Sequence, residues 1–128
     1  MAKWANSTVL DGGLSYIKNN CNAVHLISTY TANDSRSTII SNSLANIAMT
    51  STDFTITGAA GQARVLAAAS NKTSAGATNN GGGSTSHFAF ISGTEVLWVT
   101  PETSGQNIVL LNPVNFPALT YTSNQPTP

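Results

Sequence analysis

The chain has 128 residues, five basic and five acidic side chains, a net charge of zero and a pI of about 6.7. That length predicts one domain with a proper core, and five scattered cations cannot form the basic face that nucleic acid or an anionic membrane surface requires. Charged residues reach only 8%, far below the usual quarter, Ser, Thr and Asn fill roughly a third of the chain, and the 41% of hydrophobic residues are grouped into runs, which excludes disorder for most of it.

In chain order, Ser7 or Thr8 is placed to cap a short helix, with Leu10, Leu14 and Ile17 following at i, i+4 and i+7. Gly12-Gly13 in its middle costs about 1 kcal/mol per glycine relative to alanine, so packing must hold this helix. Lys18-Asn19-Asn20 ends it. Cys21, the single cysteine, excludes an internal disulfide or a cysteine metal cage and reads as a small buried hydrophobe. Ala23–Tyr30 predicts a strand, with Val24 and Leu26 on one face and His25 and Ile27 on the other. Thr31–Thr38 is polar, with a turn at Asn33-Asp34-Ser35. Ile39–Met49 fits both a helical period and a short irregular strand, and strand is the expectation for Leu44–Met49. Phe54–Thr57 and Arg64–Ala68 predict short strands joined by a turn at Gly58–Gly61. Asn71–Gly83 reads as a mobile loop between strands. Its Gly81-Gly82-Gly83 run is like a phosphate cradle, but it lacks the Gly-Lys-Ser/Thr ending and the helix that would follow.

His87–Ile91 and Val96–Val99 flank Ser92-Gly93-Thr94 and predict a β-hairpin. Phe88 and Phe90 are expected on one face, Val96 and Trp98 on one face of the return strand, and both strands at the centre of a sheet. Gln106–Leu111 predicts a strand broken by Asn112-Pro113. Val114–Thr122 predicts the last strand, with Pro117 at an edge or bulge. Seven or eight short strands predict an all-β fold: an antiparallel β-sandwich or jelly-roll-like barrel with a short N-terminal helix. Residues 1–128 form a single domain on this reading, with extended arms at 1–8 and 123–128.

No catalytic constellation is visible. His25 and His87 are 62 positions apart with no ligand-type spacing around them. There is no Gly-x-Ser-x-Gly elbow, and no pair of carboxylates placed for glycoside hydrolysis. The expectation is a non-enzyme without metal or cofactor. Met1–Thr8 lacks the apolar core of a signal peptide, and no apolar run approaches the ~20 residues of a membrane span. Asn6-Ser7-Thr8, Asn33-Asp34-Ser35 and Asn71-Lys72-Thr73 match the glycosylation pattern as chance tripeptides in such a composition. A surface of hydroxyls and amides, cheap to desolvate, suits contact with other protein. A carbohydrate-binding sandwich stacking sugars on Trp4, Trp98 or Tyr121 is the competing reading, with Trp98 better assigned to the core.

Two segments carry a resemblance. The opening Trp4-Ala5-Asn6-Ser7-Thr8-Val9-Leu10-Asp11-Gly12-Gly13-Leu14-Ser15-Tyr16-Ile17 is similar to the start of a family of short tailed-phage virion proteins, which often begin with a Val-Leu-Asp-x-Gly-Leu-x-Tyr-Ile pattern. Gly83-Ser84-Thr85-Ser86-His87-Phe88-Ala89 is similar to their Gly-Thr-Ala-Thr-His-x-Ala segment. Val96-Leu97 and Val114-Asn115-Phe116-Pro117-Ala118 extend the likeness, whereas Asn71–Gly83 lengthens the loop before the His motif. The pattern resembles capsid decoration, or cement, proteins. The resemblance implies a β-sandwich on the outer surface of a phage capsid, made in the bacterial cytoplasm. Its expected partners are the major capsid protein and further copies of itself, as a dimer or trimer. A tail tube or fibre component is the alternative within a virion. The expected contact residues lie at the two ends: Trp4, Tyr121, Asn124, Pro126 and Pro128.

Overall fold

The computed structural model describes residues 4–59, 61–68, 72–104 and 107–125. The fold is an antiparallel all-β sandwich with an N-terminal helix, α1 (Ser7–Asn20). Asn6, not Ser7 or Thr8, caps that helix: its backbone is extended and its side chain accepts the Thr8 N–H at 2.8 Å. Leu10, Leu14 and Ile17 are buried as the spacing predicts, and the Cys21 N–H closes the last turn on the Ile17 carbonyl at 2.9 Å. A Cβ added at Gly12 or Gly13 would meet nothing within 4 Å. These glycines therefore do not serve a close approach of the helix to its own sheet.

The main sheet contains β1 (Ala23–Ile27), β2 (Ser43–Ala48), β7 (His87–Ile91) and β8 (Val96–Pro101), in the order β2-β1-β7-β8. Its inner strands are buried on both faces. Val24, Leu26, Phe88 and Phe90 join the larger core with Leu14 and Ile17 of α1 and with Phe54 and Leu66. Ile27, Ala89 and Ile91 join a second, smaller core under Ile39. Ile39 belongs to α2 (Arg36–Ser41), a short helix that the sequence reading missed. Ser35 supplies its cap, with the Thr38 N–H donating to Ser35 Oγ at 3.3 Å. The expected turn is present, closed by the Asp34 N–H on the Thr31 carbonyl at 3.0 Å with Asn33 at φ 71°, and its last residue, Ser35, also starts a helix.

The second sheet contains β3 (Phe54–Thr57), β4 (Arg64–Ala68) and β11 (Thr120–Ser123), with β4 in the middle. Helix α1 packs against these strands. Four short strands complete the fold: β5 (Lys72–Thr73), β6 (Gly81–Gly82), β9 (Asn107–Ile108) and β10 (Asn115–Phe116). β5 pairs with β10, and β6 pairs with β9. The glycine run is thus partly a strand. Gly81 is required there because a Cβ would lie 2.9 Å from Leu44 Cδ2. The expected strand at Gln106–Leu111 shortens to Asn107–Ile108 among the described residues, and Val114–Thr122 divides into two strands around Pro117.

Two details of the hairpin differ from expectation. β8 is an edge strand, not a central one. A bulge at Leu97 lets Ile91 face Val96 and Phe90 face Trp98, so Val96 and Trp98 point to opposite faces. Val96 packs on the Ile39 core and Trp98 on the larger one. Trp98 is half-buried, stacked on Phe90 at 4.4 Å between ring centroids and met edge-on by Tyr121 at 5.4 Å.

Truncating a tryptophan so placed removes both aromatic contacts from an edge strand. Trp98→Ala is expected to lower stability by about 3 kcal/mol, the low end for large aromatic deletions because the ring is only half-buried. Equilibrium urea unfolding monitored by far-ultraviolet circular dichroism checks it, and an unchanged midpoint would contradict the packing described.

Candidate contact surface

The described charges are bonded to the chain's own groups. Of the five cations, four lie among the described residues, and each bonds to the chain's own groups. Lys18 Nζ donates to the Phe54 carbonyl at 2.8 Å, and Arg36 Nε donates to the Ser92 carbonyl at 2.9 Å. Arg64 donates to Asp11 at 2.8 Å, and Lys72 lies 3.0 Å from Asp53 while also donating to the Ala48 carbonyl. The remaining carboxylates accept local donors: Asp34 from the Thr31 N–H, Glu95 from the Tyr16 hydroxyl, and Glu102 from the Ser104 N–H. The Glu95 hydrogen bond, and then its charge, raise the pKa of the Tyr16 hydroxyl.

The titratable groups most often used in catalysis are held in structural roles. His25 is buried, with Nδ1 2.8 Å from Ser43 Oγ. Burial, and then the charge of Arg36, hold its pKa below 6.5. His87 Nδ1 lies 2.8 Å from the Thr85 carbonyl, which can only accept, so that nitrogen carries the proton. Burial pushes the Cys21 thiol up to about 11, away from thiolate chemistry. Among the described residues no three His, Cys, Asp or Glu side chains come together to hold a metal ion. Nor, among them, is any helix long and apolar enough to cross a membrane.

What faces outward is mostly uncharged, Glu95 beside Tyr16 excepted, and in places strongly apolar. On α1 the exposed face carries Val9, Gly12, Gly13 and Tyr16, with Val9 71% exposed. Tyr16 and Tyr121 flank a groove of about 300 Å³, floored by Gly13 and Leu97. Trp4, just ahead of the helix, is 66% exposed. Of the expected contact residues, Trp4, Tyr121 and Asn124 are on the surface, while Pro126 and Pro128 lie outside the described residues.

The two ends are not independent arms with the bounds 1–8 and 123–128. Ser7 and Thr8 are helical, and Ser123 pairs with Arg64 in the sheet. Gln125 joins the ends: its Oε1 accepts the Ala5 N–H and its Nε2 donates to the Ala5 carbonyl, each at 2.9 Å. Trp4 is thereby anchored next to the last sheet strand rather than free.

A second patch was missed by sequence reasoning. Val109, Leu110 and Leu111 are all exposed, Leu111 to 78%, at a turn closed by the Asn112 N–H on the Val109 carbonyl. Leu111 has φ 71°, a left-handed conformation rare for a branched side chain. The Leu111 N–H donates to the Ala77 carbonyl at 2.9 Å and the Asn112 carbonyl accepts from Ala77 at 2.8 Å, which fixes this conformation. The Asn-Pro pair after Leu111 was the available signal, since three apolar residues running into such a pair belong to a turn as readily as to a strand.

Family models, curated proteins and solved structures give no match to this chain. Its surface chemistry therefore carries the functional argument.

Two outcomes follow from these groups. Gln125→Ala is expected to lower stability by about 1–2 kcal/mol, since two part-buried hydrogen bonds go, whereas Trp4→Ala leaves it nearly unchanged; paired denaturant titrations separate them. His25 resists a proton that the unfolded chain takes up below pH 6.5. Stability is therefore full above 6.5 and falls as the pH drops from there towards the folded-state pKa. Melting temperatures recorded between about pH 7.5 and about pH 5 should decline more in the parent than in His25→Asn, which has no proton to gain; parallel curves would show that another group titrates there.

Proposed function

We propose that this chain is a structural protein of a phage particle, a capsid decoration or cement protein that binds the outer shell and ties neighbouring capsid subunits together. The observation that carries this reading is the division of the surface. Every described charge is bonded to the chain itself, while Trp4, Val9, Tyr16, Tyr121 and Leu111 stand exposed. A surface of that kind loses little hydration energy on contact and gains from each large apolar side chain it buries. The exposed aromatics are of the type that dominates interface energies.

The motif on α1 supports the same reading. Its Leu10, Leu14 and Ile17 are core residues and its Asp11 binds Arg64. Folding accounts for all four. It does not account for Val9 on the outer face, for the exposed half of the Tyr16 ring beyond its hydroxyl bond to Glu95, nor for two mid-helix glycines with open space around them. A helix face lined by Val9, Gly12, Gly13 and Tyr16 suits close docking on a shell protein or on a second copy. Leu111 adds to this: a strained leucine that its own core does not bury is explained by burial against a partner.

The test is binding to purified heads assembled without this chain. The parent should restore the resistance of the shell to mild heat. Trp4→Ala combined with Val9→Asn should weaken binding at least about tenfold, or 1.4 kcal/mol, without moving the melting temperature of the free protein. Leu111→Asn, which accepts the left-handed conformation more readily, should fold at least as stably and bind less. Binding to tails and not to heads would assign the chain to the tail instead, and absence from purified particles would sink the reading.

A further inference from the structure

Glu102 lies just past the end of β8, is only 7% exposed, and is held by its backbone N–H on the Ser86 carbonyl at 2.9 Å. One carboxylate oxygen accepts the Ser104 N–H at 2.6 Å and the Ser104 hydroxyl at 2.5 Å. The other, Oε2, is buried and has no hydrogen-bond partner among the described residues. The buried hydroxyl of Ser86 is equally unpartnered. Asp11 and Asp53 each face a cation and Asp34 accepts the Thr31 N–H, whereas Glu102, the one buried carboxylate among the described residues, has no cation of that set within 4.0 Å. A buried carboxylate without a counter-charge and without its full set of donors is costly to keep. Glu102 also lines a cavity of about 380 Å³ with Phe88, Pro101, Pro117 and Leu119 as apolar walls and Thr103, Ser104 and Asn115 as polar ones. An apolar wall beside a single acid and uncharged polar groups matches a basic side chain, an aliphatic stem carrying a positive head.

We propose that this cavity receives an ammonium or guanidinium group on an aliphatic stem, with Glu102 as its counter-charge. The stem lies against Phe88, Pro101, Pro117 and Leu119, and the head brings a positive charge up to the Glu102 carboxylate. The counter-charge that this carboxylate lacks among the described residues is thus brought by another molecule. This site goes beyond the proposed shell contact and stands whether or not the partner is a capsid.

The test is a nitrogen-edited NMR titration of the full chain. The probes are N-acetyl-lysine methylamide, N-acetyl-arginine methylamide, the uncharged N-acetyl-norleucine methylamide, and n-butylammonium. Saturable shifts at Phe88, Glu102, Ser104 and Leu119 are expected with a charged capped probe. They should be at least about tenfold weaker with norleucine, and at least about tenfold weaker in Glu102→Gln, a loss of roughly 1.4 kcal/mol or more. Tighter binding of the capped probes than of butylammonium assigns the site to a protein side chain, and the reverse assigns it to a free amine. If Glu102→Gln fails to fold, the norleucine comparison in the parent decides alone. Equal binding of norleucine, or no saturable shift with any charged probe, overturns the proposal.

Discussion

Strand β7 is the element on which the rest depends. Its alternate residues enter two different cores, Phe88 and Phe90 on one side and Ala89 and Ile91 on the other. All four are at most 1% exposed. A strand buried on both faces fixes its register twice over, because a one-residue slip would exchange aromatic rings for Ala89 and Ile91 in both cores at once. The pairings to β1 and β8 follow from that register, and α2 has a place only because Ala89 leaves room beneath Ile39. The tilted Phe88–Phe116 and Phe54–Phe90 contacts then bring β10 and β3 onto the same face.

With so few charges, the surface cannot be organised by ion pairs, and the chain uses the ones it has as internal ties. Arg64 links β4 to α1 through Asp11, Lys18 links α1 to Phe54, and Lys72 links β5 to the edge carbonyl of β2 at Ala48. Two of these ties reinforce the packing of α1 on β3 and β4, and the third joins β5 to β2. Placed this way, a partly buried pair contributes more to holding elements in one arrangement than to net stability. What remains outside is a neutral coat of hydroxyls and amides broken by a few large apolar side chains. A free monomer with that coat has little electrostatic protection against association, which is an advantage only where association is the task.

The sequence was most informative where one physical signal dominated. Short apolar runs bounded by turn residues marked β3 and β4 to the residue, and Phe54–Thr57 and Arg64–Ala68 are the strands observed. Alternation placed Val24 and Leu26 on one face and Ile27 on the other, as the cores show. It failed where two signals competed. The turn read at Asn33-Asp34-Ser35 is there, but the helix that Ser35 caps was not legible, because the same side-chain oxygens serve turn and cap alike and Ile39 decides by packing. The bulge at Leu97 carries no residue signature, so strict period two mis-set the faces of Val96 and Trp98. The candidate surface was half legible. Trp4 and Tyr121 were expected at the ends, but Val9, Tyr16 and Leu111 become visible only once the core has claimed its own residues.

The join between the ends changes what kind of contact they can make. A free arm carrying Trp4 would lose conformational entropy in docking, of order 1–2 kcal/mol for each residue it orders. Ala5 is already held at both its N–H and its carbonyl by Gln125, and the helix cap at Asn6 follows at once. Trp4 is therefore presented by backbone that folding has already ordered, and most of that entropy is lost before any partner arrives. The same holds for Leu111, fixed by the paired bonds to Ala77. Two pre-ordered apolar points on a neutral coat suit a protein that attaches once, to a repetitive and rigid surface, and stays.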